Sequence, residues 1–186
     1  MTRFRFLAVL PLAALLFFAP RPARALGPLD IELGAKGGYG TQTDSGKGAG
    51  PFGVGLGARG GVAIFGLYGG VNFMYYLGGN QTDSTGSSIS THSLQYGFEA
   101  GYGFKLLDLL TIRAQVGLGN FSYTAGNTTW SDVYVEPGLT AFVSLGGFFV
   151  GADAGLLVLP GFNPAGNTLP TPGPALTVHG QLGWKF

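Results

Sequence analysis

The sequence predicts an all-β fold: an eight-stranded antiparallel transmembrane β-barrel with short turns at one rim and longer loops at the other. Three observations carry that prediction. Apolar residues alternate with polar residues or glycine in eight successive segments, the two-residue period of a strand with unlike faces. The chain has positive mean hydropathy, yet beyond its N-terminal stretch it nowhere reaches 18 uninterrupted apolar residues. Long and short links alternate between the segments.

The N-terminal stretch stands apart. Arg3 and Arg5 precede an apolar run from Phe6 to Ala19, and a short segment then ends Ala23-Arg24-Ala25. A basic start, an apolar middle and an A-x-A ending are the parts of a secretory signal peptide in order. Pro11 and the shortness of the run argue against a membrane-spanning anchor. Residues 1–25 are therefore expected to be removed, leaving residues 26–186 as one barrel domain. The chain has no cysteine, which excludes an acylated N-terminal Cys and a disulfide scaffold. Four of the ten Lys and Arg residues, and none of the nine acidic ones, fall before Leu26. The remainder carries six basic and nine acidic side chains, a formal charge of −3, and offers no basic surface for nucleic acid. Its 35 glycines lack a three-residue period, which excludes collagen, and low charge with positive mean hydropathy argues against disorder.

The first segment sets Ile31, Leu33, Ala35, Gly37 and Tyr39 on one face, with Asp30, Glu32, Gly34 and Lys36 on the other. The second opposes Phe52, Val54, Leu56, Ala58 and Val62 to Gly53, Gly55, Gly57 and Arg59. In the third, Leu67, Val71, Phe73, Tyr75 and Leu77 oppose Tyr68, Gly70, Asn72, Met74 and Tyr76. The fourth opposes Leu94, Tyr96, Phe98, Ala100, Tyr102 and Phe104 to Gln95, Gly97, Glu99, Gly101, Gly103 and Lys105. The fifth places Ile112, Ala114, Val116 and Leu118 against Thr111, Arg113, Gln115, Gly117 and Gly119. Continued unbroken, its alternation would turn Phe121 and Tyr123 inward, so a bulge near Asn120 is expected. In the sixth, Val133, Val135, Leu139, Ala141 and Val143 oppose Tyr134, Glu136, Gly138, Thr140 and Phe142. Pro137 lies within that segment, and its missing N–H predicts a local irregularity. The seventh opposes Phe148, Val150, Ala152, Ala154 and Leu156 to Phe149, Gly151, Asp153 and Gly155, and the eighth Leu176, Val178, Leu182, Trp184 and Phe186 to Thr177, His179, Gln181, Gly183 and Lys185.

One face is nearly continuous in apolar residues and the other mixes glycine with ionisable groups. A soluble barrel would need charges to coat its exterior, and this chain has too few. With the apolar face toward lipid and the other lining a narrow lumen, both faces are accommodated, and closure leaves no unpaired sheet edge in hydrocarbon. The longer links are expected near residues 40–51, 78–91, 124–132 and 157–174, and the tight ones near 63–66, 106–109 and 145–147. An even strand number puts both termini on the periplasmic side. Aromatics form two expected girdles: Tyr39, Phe52, Tyr75 and Tyr96 at the outer rim, and Phe104, Phe148, Trp184 and Phe186 at the inner.

With these features, and with its ending Leu182-Gly183-Trp184-Lys185-Phe186, the chain resembles the small eight-stranded outer-membrane barrel proteins of Gram-negative bacteria. The resemblance spans residues 28–186 and implies residence in the bacterial outer membrane among its lipids. It also implies that terminal Phe186 is the signal read by the barrel-insertion machinery. Similar barrels serve as anchors, adhesins or lipid-modifying enzymes, so the resemblance specifies architecture more than function.

Charged residues on the lumen face are Glu32, Lys36, Arg59, Glu99, Arg113, Glu136 and Asp153, with His179 beside them in the last segment. Buried charges are costly unless paired, so an internal ion-pair network is expected, with Arg59 and Arg113 as its positive centres. An eight-stranded interior is only just wide enough for side chains. Inward glycines are expected to make room for Tyr68, Met74, Tyr76, Tyr134, Phe142 and Phe149.

No catalytic residues, cofactor or metal ligands are assigned. His92 beside Ser93, with Ser90 nearby, is the one place where a Ser–His–acid site could be sought, and Ser131-Asp132 with His92 is a weaker version of it. Adjacent residues in a strand point to opposite faces, and rim chemistry is the simpler reading of His92. The glycine-rich stretches lack Gly-Lys-Ser/Thr and are no phosphate loops. The expected protein is a monomeric structural or surface-interaction barrel, with a possible extracellular ligand at its loops. A small porin-like channel is the alternative, and a lipid-modifying enzyme comes behind it.

Overall fold

The computed structural model describes residues 29–43, 50–82, 86–106, 109–161 and 172–186. The signal-peptide segment lies outside them, as does most of the loop that carries Pro164 and Pro170. Among the described residues there are nine strands. They are β1 (Leu29–Gln42), β2 (Gly53–Ile64), β3 (Leu67–Tyr76), β4 (Asn80–Thr82), β5 (Ser88–Leu106), β6 (Leu110–Ala125), β7 (Thr128–Leu145), β8 (Phe148–Leu157) and β9 (Ala175–Lys185). Neighbours pair antiparallel in the order β3-β2-β1-β9-β8-β7-β6-β5, and β3 pairs with β5, which closes the sheet. Eight strands thus form the barrel wall. The short β4 adds only to the upper edge of β5, where Asn80 pairs with Ser90.

The alternation in the sequence becomes the inside and outside of this wall. Leu56, Phe98 and Leu139 stand out at 59–72% exposure, with Val133, Val178 and Leu33 among many others around the belt. Glu32, Lys36, Arg59, Glu99, Arg113 and Asp153 are buried on the opposite face. Two-residue turns at Phe65–Gly66 and Gly146–Gly147 lie at the end that also holds Leu29 and Phe186, here called the inner end. The N–H of Phe186 donates to the carbonyl of Ile31, tying the last residue to the first strand.

Three expectations meet the structure differently. The link expected over residues 124–132 is instead a two-residue turn at Gly126–Asn127, with Gly126 at φ 58, and β6 and β7 pair right up to Ala125↔Thr128. Gly-Asn is itself a hairpin signal, which the surrounding Thr and Ser residues disguise as loop. No bulge forms near Asn120: the β5–β6 and β6–β7 registers run unbroken through it. Phe121 and Tyr123 therefore do point inward, where they are buried. Phe52 is no girdle residue either. It precedes β2, and Gly53, at φ 82, breaks the alternation so that the ring folds wholly into the lumen. All three aromatics join one cluster that fills the outer end of the lumen with Met74, Tyr76, Ala125, Tyr134, Leu157 and Ala175. The apolar core thus sits at one end of the barrel, above its charged middle.

Pro137 has its effect on one side only. Toward β6 the ladder passes through Val116↔Pro137. Toward β8 it stops at Gly138↔Gly155 and resumes as a single bridge, Val135↔Val158, bonded in both directions at 2.9 and 2.8 Å. The two-residue alternation of antiparallel bonds makes residues 137 and 156 the next bonded pair, and proline has no N–H to give it.

Candidate functional site

Among the described residues, ionisable side chains converge in the lumen, where they form layers. At the inner mouth Lys185 Nζ lies 3.1 Å from Asp30 and 3.4 Å from Glu32, with Lys105 3.6 Å from Asp30. A cavity of about 330 Å³ opens there between Asp30, Lys105, Lys185, Arg113, Phe65 and Tyr102.

Above it Arg113 donates from both terminal nitrogens to the two oxygens of Glu32, at 3.0 and 2.8 Å. This is the bidentate fork that suits guanidinium to carboxylate. Arg59 reaches Glu32 and Glu99, both at 3.7 Å, and donates to Gln181 at 3.0 Å. Both guanidiniums lie on the Tyr68 ring, Arg113 at 3.9 Å and Arg59 at 4.7 Å from its centroid. The aromatic face accepts cations whose remaining hydrogens lack anionic partners.

Lys36 joins the next pair of acids, 3.2 Å from Asp153 and 3.9 Å from Glu99. Asp153 Oδ1 in turn meets His179 Nδ1 at 2.8 Å, and His179 Nε2 meets the Tyr76 hydroxyl at 2.9 Å. Tyr76 belongs to the aromatic cluster, so a chain of polar contacts runs from the inner mouth to the underside of the apolar plug. Glu136 stands apart. Gln95 donates to it at 2.5 Å and Thr177 at 2.6 Å, and among the described residues no cation pairs with it.

Inward glycines create the space these groups occupy. A methyl at Gly61 would come within 2.6 Å of the Tyr68 ring, and one at Gly183 within 2.7 Å of Phe149. The plug is packed as tightly: Phe52 sits between Tyr76, edge-on at 5.7 Å, and Phe121, tilted at 5.3 Å. Sequence reasoning located the charges and the glycines. It missed the plug, because three of its aromatics were read as outward.

At the outer rim His92 packs its ring against Tyr75 at 5.8 Å, and among the described residues no carboxylate pairs with it. Ser93 points the other way, buried and donating to the Pro51 carbonyl at 2.7 Å. Ser131 lies outward, bonded to Ser122 at 2.7 Å, while the Asp132 carboxylate accepts the N–H of Val133. Neither serine is thus assembled with His92 and an acid. Among the described residues no group of three or more His, Cys, Asp or Glu is placed to hold a metal ion.

A scan against protein-family models finds no match, and neither does a search of curated proteins. Solved structures do match. Neisserial surface protein A superposes with a TM-score of 0.58 at 12% identity, over 86% of this chain and 98% of that one. The N-terminal β-barrel domain of Pseudomonas aeruginosa OprF gives 0.54 at 14% identity, covering 84% and 97%. Ail, the attachment invasion locus protein of Yersinia pestis, gives 0.51 at 13%, covering 85% and 97%. At these identities the likeness shows the fold, a closed eight-stranded barrel of the outer-membrane type. With the apolar belt around its wall, the chain is an outer-membrane protein.

Proposed function

We infer that this outer-membrane barrel is a sealed surface scaffold: its strands and loops meet partners outside, while its charged lumen braces the wall and conducts nothing. The aromatic plug is the observation that carries this reading. Phe52, Met74, Tyr76, Phe121 and Tyr134 are all fully buried across the outer end of the lumen. An interior of eight strands has no width left for a hydrated ion beside them. The cavity at the inner mouth is then a blind well.

Planar-bilayer recording tests this. The protein is expected to give no single-channel steps, and Phe52→Ala combined with Phe121→Ala is expected to introduce them. Steps from the unaltered protein would instead support the porin-like alternative.

We extend the reading to export and assembly. Removal of residues 1–25 predicts that N-terminal sequencing of the membrane form begins at Leu26. Phe186, half exposed on the outer surface beside β1, is offered as the insertion signal. Its deletion should lower insertion into membranes without changing expression.

Ail has also been solved with the heparin analogue sucrose octasulfate. Here every Lys and Arg among the described residues lies in the lumen or at the inner end, while Lys47 is outside them. That distribution favours an uncharged partner at the outer rim over a sulfated one.

A further inference from the structure

The inner end of the barrel is notched. β5 runs on past the β2–β3 turn: its Gly103 N–H donates to the Gly66 carbonyl at 2.8 Å, and from there to Leu106 it pairs, among the described residues, with β6 alone. Backbone groups two residues apart in a strand point the same way, so the N–H and carbonyl of Lys105 face the open side beyond Gly66. The well at the inner mouth opens into this notch, with Gly66, Gly103 and Lys105 in its wall. Its donors outnumber its acceptors. Lys105, Lys185 and Arg113 line it against Asp30 and Glu32, one positive charge in surplus, and Glu136 is not among the lining residues. Glu32 is occupied by the Arg113 fork, and a single oxygen of Asp30 serves both lysines. Among the described residues the only ion pair of Lys105 is that Asp30 contact at 3.6 Å, and its side chain is 58% exposed. Arg113 is buried, yet its Nε has no acceptor among the described residues.

The edge of the well is apolar and strained. Phe65 and Gly66, at φ 51 and 87, form the two-residue turn whose central residues are both left-handed, where Asn, Asp or Gly ordinarily stands first. A bulky side chain at positive φ is an outlier, and such strain collects at ligand sites. Here it is kept at a position where the ring lies 77% exposed beside the well. Tyr102 and Phe104 extend the apolar shelf along the same edge. The notch therefore asks for three things at once: an anionic group for Lys105 and Arg113, an apolar group for the shelf, and a backbone pair for the Lys105 edge. The last residue of a peptide chain carries all three. A volume of about 330 Å³ is at the small end of ligand pockets, which run from about 300 to 1,000 Å³, so a chain terminus fits where a folded segment does not.

We propose that the notch at the inner mouth binds the free C-terminus of a peptide ending in an apolar residue. The terminal carboxylate meets Lys105 and the Arg113 Nε, the last side chain lies against Phe65, and the backbone pairs with Lys105 as a short added strand. The assignment rests on the sealed-lumen reading above, which makes the well blind.

Its test uses the whole folded protein in phosphatidylcholine nanodiscs, which leave both barrel ends open to solvent. Acetyl-Gly-Gly-Phe with a free carboxylate is titrated by calorimetry, and the amide shifts of the protein locate it. Saturable binding is expected, with shifts at Phe65, Gly66, Lys105 and Lys185. The same peptide with an amidated C-terminus should bind about tenfold or more weakly, the loss of a hydrogen bond between charged groups. Lys105→Gln should weaken the free-carboxylate peptide by about tenfold. Phe65→Asn should weaken it about fivefold while raising the urea midpoint, because Asn takes positive φ with less strain. That variant keeps the test valid, since its loss of binding comes without loss of fold. Equal binding of the amidated peptide overturns the proposal, as does undiminished binding to Phe65→Asn or shifts confined to the outer end. Equally tight binding of free phenylacetate also overturns it, since the strand edge would then contribute nothing and the ligand would be a small acid. Absence of saturable binding, with bilayer recordings silent, removes this proposal and leaves the sealed scaffold standing. Single-channel steps from the unaltered protein bring down the sealed lumen and the blind well together.

Discussion

Arg113 donates both terminal nitrogens to Glu32 and lays its guanidinium over the Tyr68 ring, 2% exposed in all. Truncating Arg113 takes the bidentate donor from buried Glu32 and leaves it only the longer contacts of Lys185 at 3.4 Å and Arg59 at 3.7 Å, a loss of about 3 kcal/mol. Arg113→Met is therefore expected to lower unfolding free energy by that amount in urea titration of the detergent-folded protein. Adding Glu32→Gln should restore part of it, because Arg59 keeps Glu99 and Lys185 keeps Asp30 as partners while the under-paired carboxylate is gone. Glu136 predicts the opposite behaviour, since only Gln95 and Thr177 attend it among the described residues. Glu136→Gln removes a charge without a cationic partner and keeps a carbonyl oxygen for one donor, so stability should change by no more than ~1 kcal/mol. Gly61→Val tests the fit of the lumen. Its side chain would drive into the Tyr68 ring, which Arg59 and Arg113 hold from above, and overpacking of this kind costs about 1–3 kcal/mol.

At the scale of the element, β7 shows how one residue limits a strand. Pro137 leaves the Leu156 carbonyl without its ladder donor at a depth where water does not reach. Pro137→Val supplies the N–H with a side chain that suits both strand and lipid, and should stabilise the barrel by about 1–3 kcal/mol, read by the same titration. Faster exchange at Val135 and Leu156 in the unaltered protein would accompany it. The outer end of the β6–β7 hairpin makes a separate test. Its inward face rests on Trp130 and Tyr123, so Trp130→Ala should quicken amide exchange from Phe121 to Tyr134 and leave β8 and β9 protected.

For the whole molecule, the barrel, its strand count and the sign of each face were legible in residues 30–186, because lipid outside and a narrow lumen inside impose opposite chemistries on successive positions. The lumen residues Glu32, Lys36, Arg59, Glu99, Arg113, Glu136, Asp153 and His179 were legible for the same reason: alternation carries each one inward whatever its partners. Their partners were not legible. Glu32 meets Arg113 across 81 positions and Arg59 meets Gln181 across 122, distances set by strand tilt and closure that no local pattern records. The plug was hidden by a correct local rule applied once too often. Aromatics near strand ends usually form girdles, but Phe52 is turned by Gly53, and Phe121 and Tyr123 follow an unbroken register into the lumen. The sequence by itself determined a lipid-facing barrel with a charged interior, since the two-residue period and the scarcity of charge admit little else. The tertiary structure alone decided that the interior is capped by aromatics at its outer end and that β5, β6 and β7 run on past their neighbours there. Both depend on how far each strand extends past its neighbours once the sheet closes, and that is a property of the assembled ring.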